Sequence, residues 1–165
     1  MKASFAEMLR YNAWANGALF EACRTLDDNQ LATRIPGTAG SIRELLAHIV
    51  AGQETLVARA KGGQQSSRGD WRGFAALTDA AARSTDALIA IADGLDDDLP
   101  VVVRYTEREY TFPRSFFLVQ ALAHGVEHRT EVKLTLASFG VQTPDLDSWS
   151  YGAAAGFARD APPAN

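Results

Sequence analysis

The chain has three histidines, His48, His124 and His128, and all three sit in apolar surroundings. His124 and His128 lie four residues apart behind the run Phe116-Phe117-Leu118-Val119-Gln120-Ala121-Leu122-Ala123, and His48 follows Leu45-Leu46-Ala47. At roughly 100° per residue, an i, i+4 pair projects both rings from one helix face about 40° apart, close enough to meet one ion. With a third imidazole from another helix, the set suits Zn, Ni, Cu or Fe and leaves a fourth position for water or substrate. That is the pattern of a catalytic rather than a structural metal. An unpartnered buried imidazole costs a few kcal/mol, so the rings are expected below the surface and sharing a task. The same spacing also accommodates three ordinary polar residues on half-buried helix faces, and the residues alone leave both readings open.

Carboxylates stand close by. Glu131, seven positions after His124, falls on nearly the same stripe, and Glu127 lies about 60° to one side. Either can accept the remaining ring N–H of a ligand histidine and so fix its tautomer. In a hydrolytic site Glu131 is the first candidate general base and Glu127 the second. The plainer expectation is a surface link, such as Glu131 with Arg129 or Arg104. Gln120, one turn before His124, is placed to reach a metal-bound water or simply to cap polar surface. Asn12 and Asn16 share one face of the first helix, where asparagine is a poor interior residue. They are expected to anchor the C-terminal tail or line a pocket. Cys23 has no activating neighbour and reads as a small buried hydrophobe. No G-x-S-x-G motif marks a serine nucleophile.

These groups need elements to hold them. Residues 3–25 show apolar positions at three-and-four spacing, predicting a first helix. Ser41 with Glu44 forms a capping box that predicts a second from about Ile42 to Ala60, after a connection around Asp27-Asp28-Asn29. Residues 61–69 are polar and glycine-rich and predict an exposed, mobile loop. A third helix is expected over about 73–92, closed by Gly94. Val101 to Tyr105 and Glu109 to Phe112 predict a small hairpin. Pro113 opens a fourth helix reaching about Phe139, closed by Gly140. Asp147 is placed to cap a short helix near Ser150 to Arg159.

Four such helices bury their stripes most simply as an all-α four-helix bundle, with the metal site built from facing helices. A chain of 165 residues, 47% apolar, suits one domain over residues 1–165. The formal charge of -4 and a pI near 5.3 give no basic face for nucleic acid. A single cysteine excludes an intramolecular disulfide and a thiolate cluster. No run approaches the ~18 apolar residues of a membrane span. The N-terminus enters a helix without a signal-peptide stretch, so a soluble cytoplasmic protein is expected.

Taken together, the motifs resemble a known family. Tyr11-Asn12-x-Trp14-x-Asn16, Ser41-Ile42-x-Glu44-Leu45-Leu46-x-His48-Ile49, and His124-x3-His128-Arg129-x-Glu131 followed by Gly140 and Pro144-x-Leu146-Asp147 are similar to the DinB/YfiT-like family of bacterial metalloenzymes. Its three metal-binding histidine positions are matched by His48, His124 and His128. The resemblance implies a four-helix bundle with a crossover connection, a single divalent metal (Zn or Ni, sometimes Mn or Fe), and a homodimer formed by helix packing. It further implies either a metal-dependent hydrolase or a thiol S-transferase that takes a low-molecular-weight thiol and a small-molecule substrate. A non-catalytic, stress-response metal-binding bundle is the alternative, and it predicts an enclosed site with no cleft beside the histidines. A metal-free helical domain is the third reading.

Overall fold

A computed structural model describes residues 2–63, 70–95, 97–104 and 106–157, with the side chains of residues 2–4 left aside. Its elements are α1 (Lys2–Cys23), α2 (Asp28–Leu31), α3 (Ile42–Ala60), α4 (Phe74–Asp93), β1 (Pro100–Arg104), β2 (Glu109–Pro113), α5 (Arg114–Ser138) and α6 (Ser148–Ala154). The protein is thus mostly helical, with one antiparallel two-stranded hairpin. None of the described helices is long and apolar enough to cross a membrane. The segment 64–69, the core of the expected mobile loop, lies outside the described residues, as do Tyr105 and Arg159.

The signals that start and stop the helices act as their chemistry requires. Ser41 accepts from the Glu44 backbone N–H, and the Glu44 carboxylate accepts from Ser41 N at 2.8 Å, so α3 begins with a closed capping box. Asp98 does the corresponding work for α5, accepting from Ser115 N at 2.8 Å just inside Pro113. Gly140 takes φ 80°, a left-handed conformation that lets the chain turn away after α5. The connection expected around Asp27-Asp28-Asn29 instead contains α2, a single turn with its own capping box between Asp27 and Gln30. In the hairpin Pro100 pairs with Pro113 and Arg104 with Glu109. Val101 and Val103 point inward while Val102 is exposed, the alternation of a half-covered strand.

The four long helices pack side by side, α3 against α4 and α5, and α1 against the same two. Their interior is not one continuous apolar mass. One cluster gathers Ala15, Leu19, Phe20, Leu45, Leu46, Leu77, Val132 and Leu136. A second gathers Leu9, Leu56, Leu88, Phe117, Leu118 and Ala121, with Val101 and Val103 of the hairpin. Between them every long helix contributes a buried polar residue: Asn12 and Asn16 from α1, Gln53 from α3, Ser84 and Thr85 from α4, His128 and Arg129 from α5. On α5, His124 and His128 stand at this polar level, between Ala121 and Val132.

Candidate metal centre

α3 supplies His48, and α5 supplies His124 and His128 one turn apart. The ring centroids are 4.8 Å apart for His48 and His124, 4.6 Å for His48 and His128, and 4.5 Å for His124 and His128. The three rings offer ligand nitrogens that all lie within 4.8 Å of one another. His124 Nε2 stands 3.1 Å from His48 Nε2. Two nitrogens bound at about 2.1 Å in a tetrahedral array are separated by roughly 3.4 Å, so the approach of these two fits a shared first-row metal to within a few tenths of an ångström. Burial pushes the His124 pKa down to about 4, and the neighbouring His128 and His48 add to the shift. His124 is therefore neutral at physiological pH, the state in which an imidazole ligates a metal.

Two neighbours shape the rings. Gly52, one turn after His48, leaves the room that His124 occupies: a Cβ there would lie 2.3 Å from His124 Cε1. Glu131 places Oε2 3.1 Å from His128 Nδ1, and the same oxygen accepts from Ala39 N at 3.3 Å. An Nδ1–H donating to this carboxylate leaves Nε2 as the lone-pair nitrogen. The expected link from Glu131 to Arg129 or Arg104 does not form. Arg104 pairs with Glu109 across the hairpin, and Arg129 turns inward. Glu127 is exposed, and Gln120 is half-buried.

The chain matches the DinB family over residues 1–161. It belongs to the DinB family. No curated protein matches it.

One expectation is corrected at the site of this DinB protein: His128 is buried and His124 half-buried, but His48 is exposed. Its stripe on α3, with Glu44 and Gly52, runs along the edge of the face that packs inward, and His48 borders a cavity of about 550 Å³ whose wall includes Ala39, Arg43, Ala47, Ala51 and Trp71. The Arg43 guanidinium sits 5.8 Å from the Trp71 ring centre and pairs with Asp28 at 2.5 Å. A second hollow of similar size on the hairpin, at Thr106, Glu107, Arg108, Tyr110 and Phe112, borders none of the histidines.

The paired asparagines are also reassigned. Rather than holding the tail, Asn12 and Asn16 accept from Arg129 Nη1 at 2.6 and 2.7 Å. The tail is held by Tyr11, whose hydroxyl donates to the Leu146 carbonyl at 2.9 Å. From Asn16 the polar contacts continue to Gln53 Oε1 at 3.4 Å, and from Gln53 Nε2 to Thr85 Oγ1 at 2.8 Å. Arg129 is 3% exposed, and its guanidinium lies 5.8 Å from the Tyr11 ring centre and is held below its ordinary pKa by burial. Gly125 makes space for it, since a Cβ there would be 2.4 Å from Asn12 Oδ1 and 2.7 Å from Arg129 Nη1. Cys23 is buried and its thiol is pushed up to about 12, so it is no nucleophile.

Reasoning from the sequence missed Gly52, Gly125 and the Arg129 contacts. A signal for the first was present: a glycine in the middle of α3, where it costs about 1 kcal/mol relative to alanine, one turn from a candidate ligand.

Proposed function

We propose that this DinB-family chain, folded as a single four-helix-bundle domain, binds one divalent metal through His48, His124 and His128 and uses the open fourth position for catalysis. The observation that carries this reading is the convergence of three imidazoles from two helices, with two Nε2 atoms 3.1 Å apart. Zn or Ni suits three neutral imidazoles best, and Mn or Fe is the alternative. A divalent cation held by these three rings would supply Lewis acidity toward a water or a thiol at the open position.

The chain's own residues do the rest. Glu131 holds the His128 tautomer, and we assign it this positioning role ahead of that of general base, because its Oε2 already faces two donors. Gly52 keeps the His124 berth clear. The cavity beside His48 offers an apolar alanine wall and an indole face for a small-molecule substrate, and it favours the enzyme over an enclosed, non-catalytic metal site. The reaction class is hydrolysis or transfer to a low-molecular-weight thiol. A homodimer is supported by α5, which exposes Phe116, Val119, Val126 and Leu134 as an apolar stripe that a second copy would cover.

The test is turnover by metal-loaded protein on two panels. One pairs small thiols with the electrophile monochlorobimane, and the other holds esters, amides and phosphoesters. Turnover that disappears in His48→Ala and in chelator-treated wild type, and returns to the wild type with added metal, supports catalysis at this site. Stoichiometric metal binding with no turnover on either panel favours the non-catalytic binding reading.

A further inference from the structure

Hydrophobic burial does not by itself decide how α5 is rotated. The helix turns Phe117, Leu118, Ala121, Val132 and Leu136 inward, yet it leaves Val119, Val126 and Leu134 at 54%, 44% and 57% exposure. Rotation about its axis therefore exchanges one apolar face for another. A metal triad tolerates little of that freedom, since ligand distances are held to about 0.2 Å. A directional contact is needed, and the polar layer provides it. Arg129 Nη1 reaches two acceptors on α1, and the guanidinium crosses Gly125, where a side chain would block it. Apolar clusters lie on either side of this level. Sliding α5 by a turn would carry the charge toward Leu19 and Leu46 or toward Leu9 and Leu56 of the neighbouring helices, where it would be buried without a partner. No carboxylate pairs with Arg129 among the described residues, and its Nη2 is buried without a hydrogen-bond partner there. The arrangement thus contributes orientation rather than ion-pair strength, the best-attested use of a buried polar contact.

We propose that Arg129 is a positioning residue for the histidine triad: held by Asn12 and Asn16 across Gly125, it sets the rotation and level of α5. Asn16 and Gln53 carry the same reference to α3, so that His124 and His128 face His48. This inference rests on the reading of the three rings as metal ligands.

The test replaces Arg129 and its nearer amide by apolar side chains of similar size, Asn12→Leu/Arg129→Met. Apolar replacement of a buried charged group is commonly neutral or stabilising. Wild-type and variant proteins are titrated with Co(II), the dissociation constant is measured by chelator competition, and the visible d–d spectrum is recorded beside the melting temperature of the metal-free protein. The expected result is a metal-free protein that stays folded, with a melting temperature lowered at most modestly because Asn16 Oδ1 alone loses its donor, an altered d–d spectrum, and Co(II) affinity lowered about 10- to 100-fold, as for groups that orient ligands from outside. Arg129→Lys, which keeps the charge but not the fork, should recover part of the affinity. Wild-type affinity and spectrum in the double variant overturn the proposal. A wild-type protein that takes up no Co(II) overturns the metal reading instead, so the two failures are distinct. If the double variant does not fold, Asn16→Ala serves, since it cuts the link to Gln53 while Asn12 still holds Arg129. Weakened Co(II) binding by folded protein then supports the proposal, and unchanged binding contradicts it.

Discussion

Two i, i+4 pairs of polar side chains face the interior, and they do different work with the same geometry. Asn12 and Asn16 on α1 aim two carbonyl oxygens at the guanidinium of Arg129, a cation built into the chain. His124 and His128 on α5 aim two imidazoles toward His48, around a place suited to a cation the chain does not supply. Oxygen acceptors around a permanently charged fork give a fixed joint. Neutral nitrogens give an exchangeable site with a position left open. The two pairs meet at α5, where His128 and Arg129 are consecutive, so one helix carries both the joint and the ligands.

The comparison breaks most sharply at Gly52. Gly52→Ala should abolish stoichiometric metal binding, because the new methyl takes the place of the His124 ring. The metal-free melting temperature should hold or rise, since the ring can swing aside and alanine favours the helix by about 1 kcal/mol. Metal content by mass spectrometry and thermal melting check both halves. A smaller effect is expected at Glu131. Glu131→Gln removes the charge beside His128 Nδ1, and metal affinity should fall about 10- to 100-fold by chelator competition.

Acid should separate the exchangeable pair from the fixed one. In the metal-free protein His124 is depressed to about 4, whereas in the unfolded chain it titrates near its ordinary 6.5. The unfolded state therefore binds more protons between these values, and stability is lost as pH falls through that window. Melting temperatures of chelator-treated wild type should drop over this range, and those of His124→Asn should drop less. The Asn12, Asn16 and Arg129 contacts hold no group that changes charge there. The mildest expected change is at the start of α3. Ser41→Ala opens the capping box and should cost about 1 kcal/mol of stability in denaturant unfolding, with metal affinity unchanged, because His48 lies two turns inside the helix.

Much of this architecture was legible residue by residue. The Ser41 capping box marked the start of α3 and the periodic apolar positions its length. Pro113 and Gly140 bracketed α5, and the β-prone run from Val101 marked β1. The i, i+4 spacing of His124 and His128 suggested the grouping with His48 and the family resemblance implied it, whereas the residues alone left three ordinary polar side chains as an equal reading. The polar layer was not legible. Arg129 meets Asn12 and Asn16 across 117 and 113 residues, and nothing local distinguishes its side chain from one that turns outward to Glu131. The exposure of His48 was hidden too, because it depends on where the edge of α3 falls against α5 and the neighbouring cavity. α2 escaped notice because one turn carries no periodicity, although Asp27 and Gln30 already had the spacing of a cap.

The most direct test is native mass spectrometry of the protein purified in the presence of Zn or Ni, beside its His124→Ala variant. One divalent ion per chain is expected in the wild type and none in the variant. A wild type that carries no ion, or a variant that keeps it, would contradict the central claim that these three rings form one metal site.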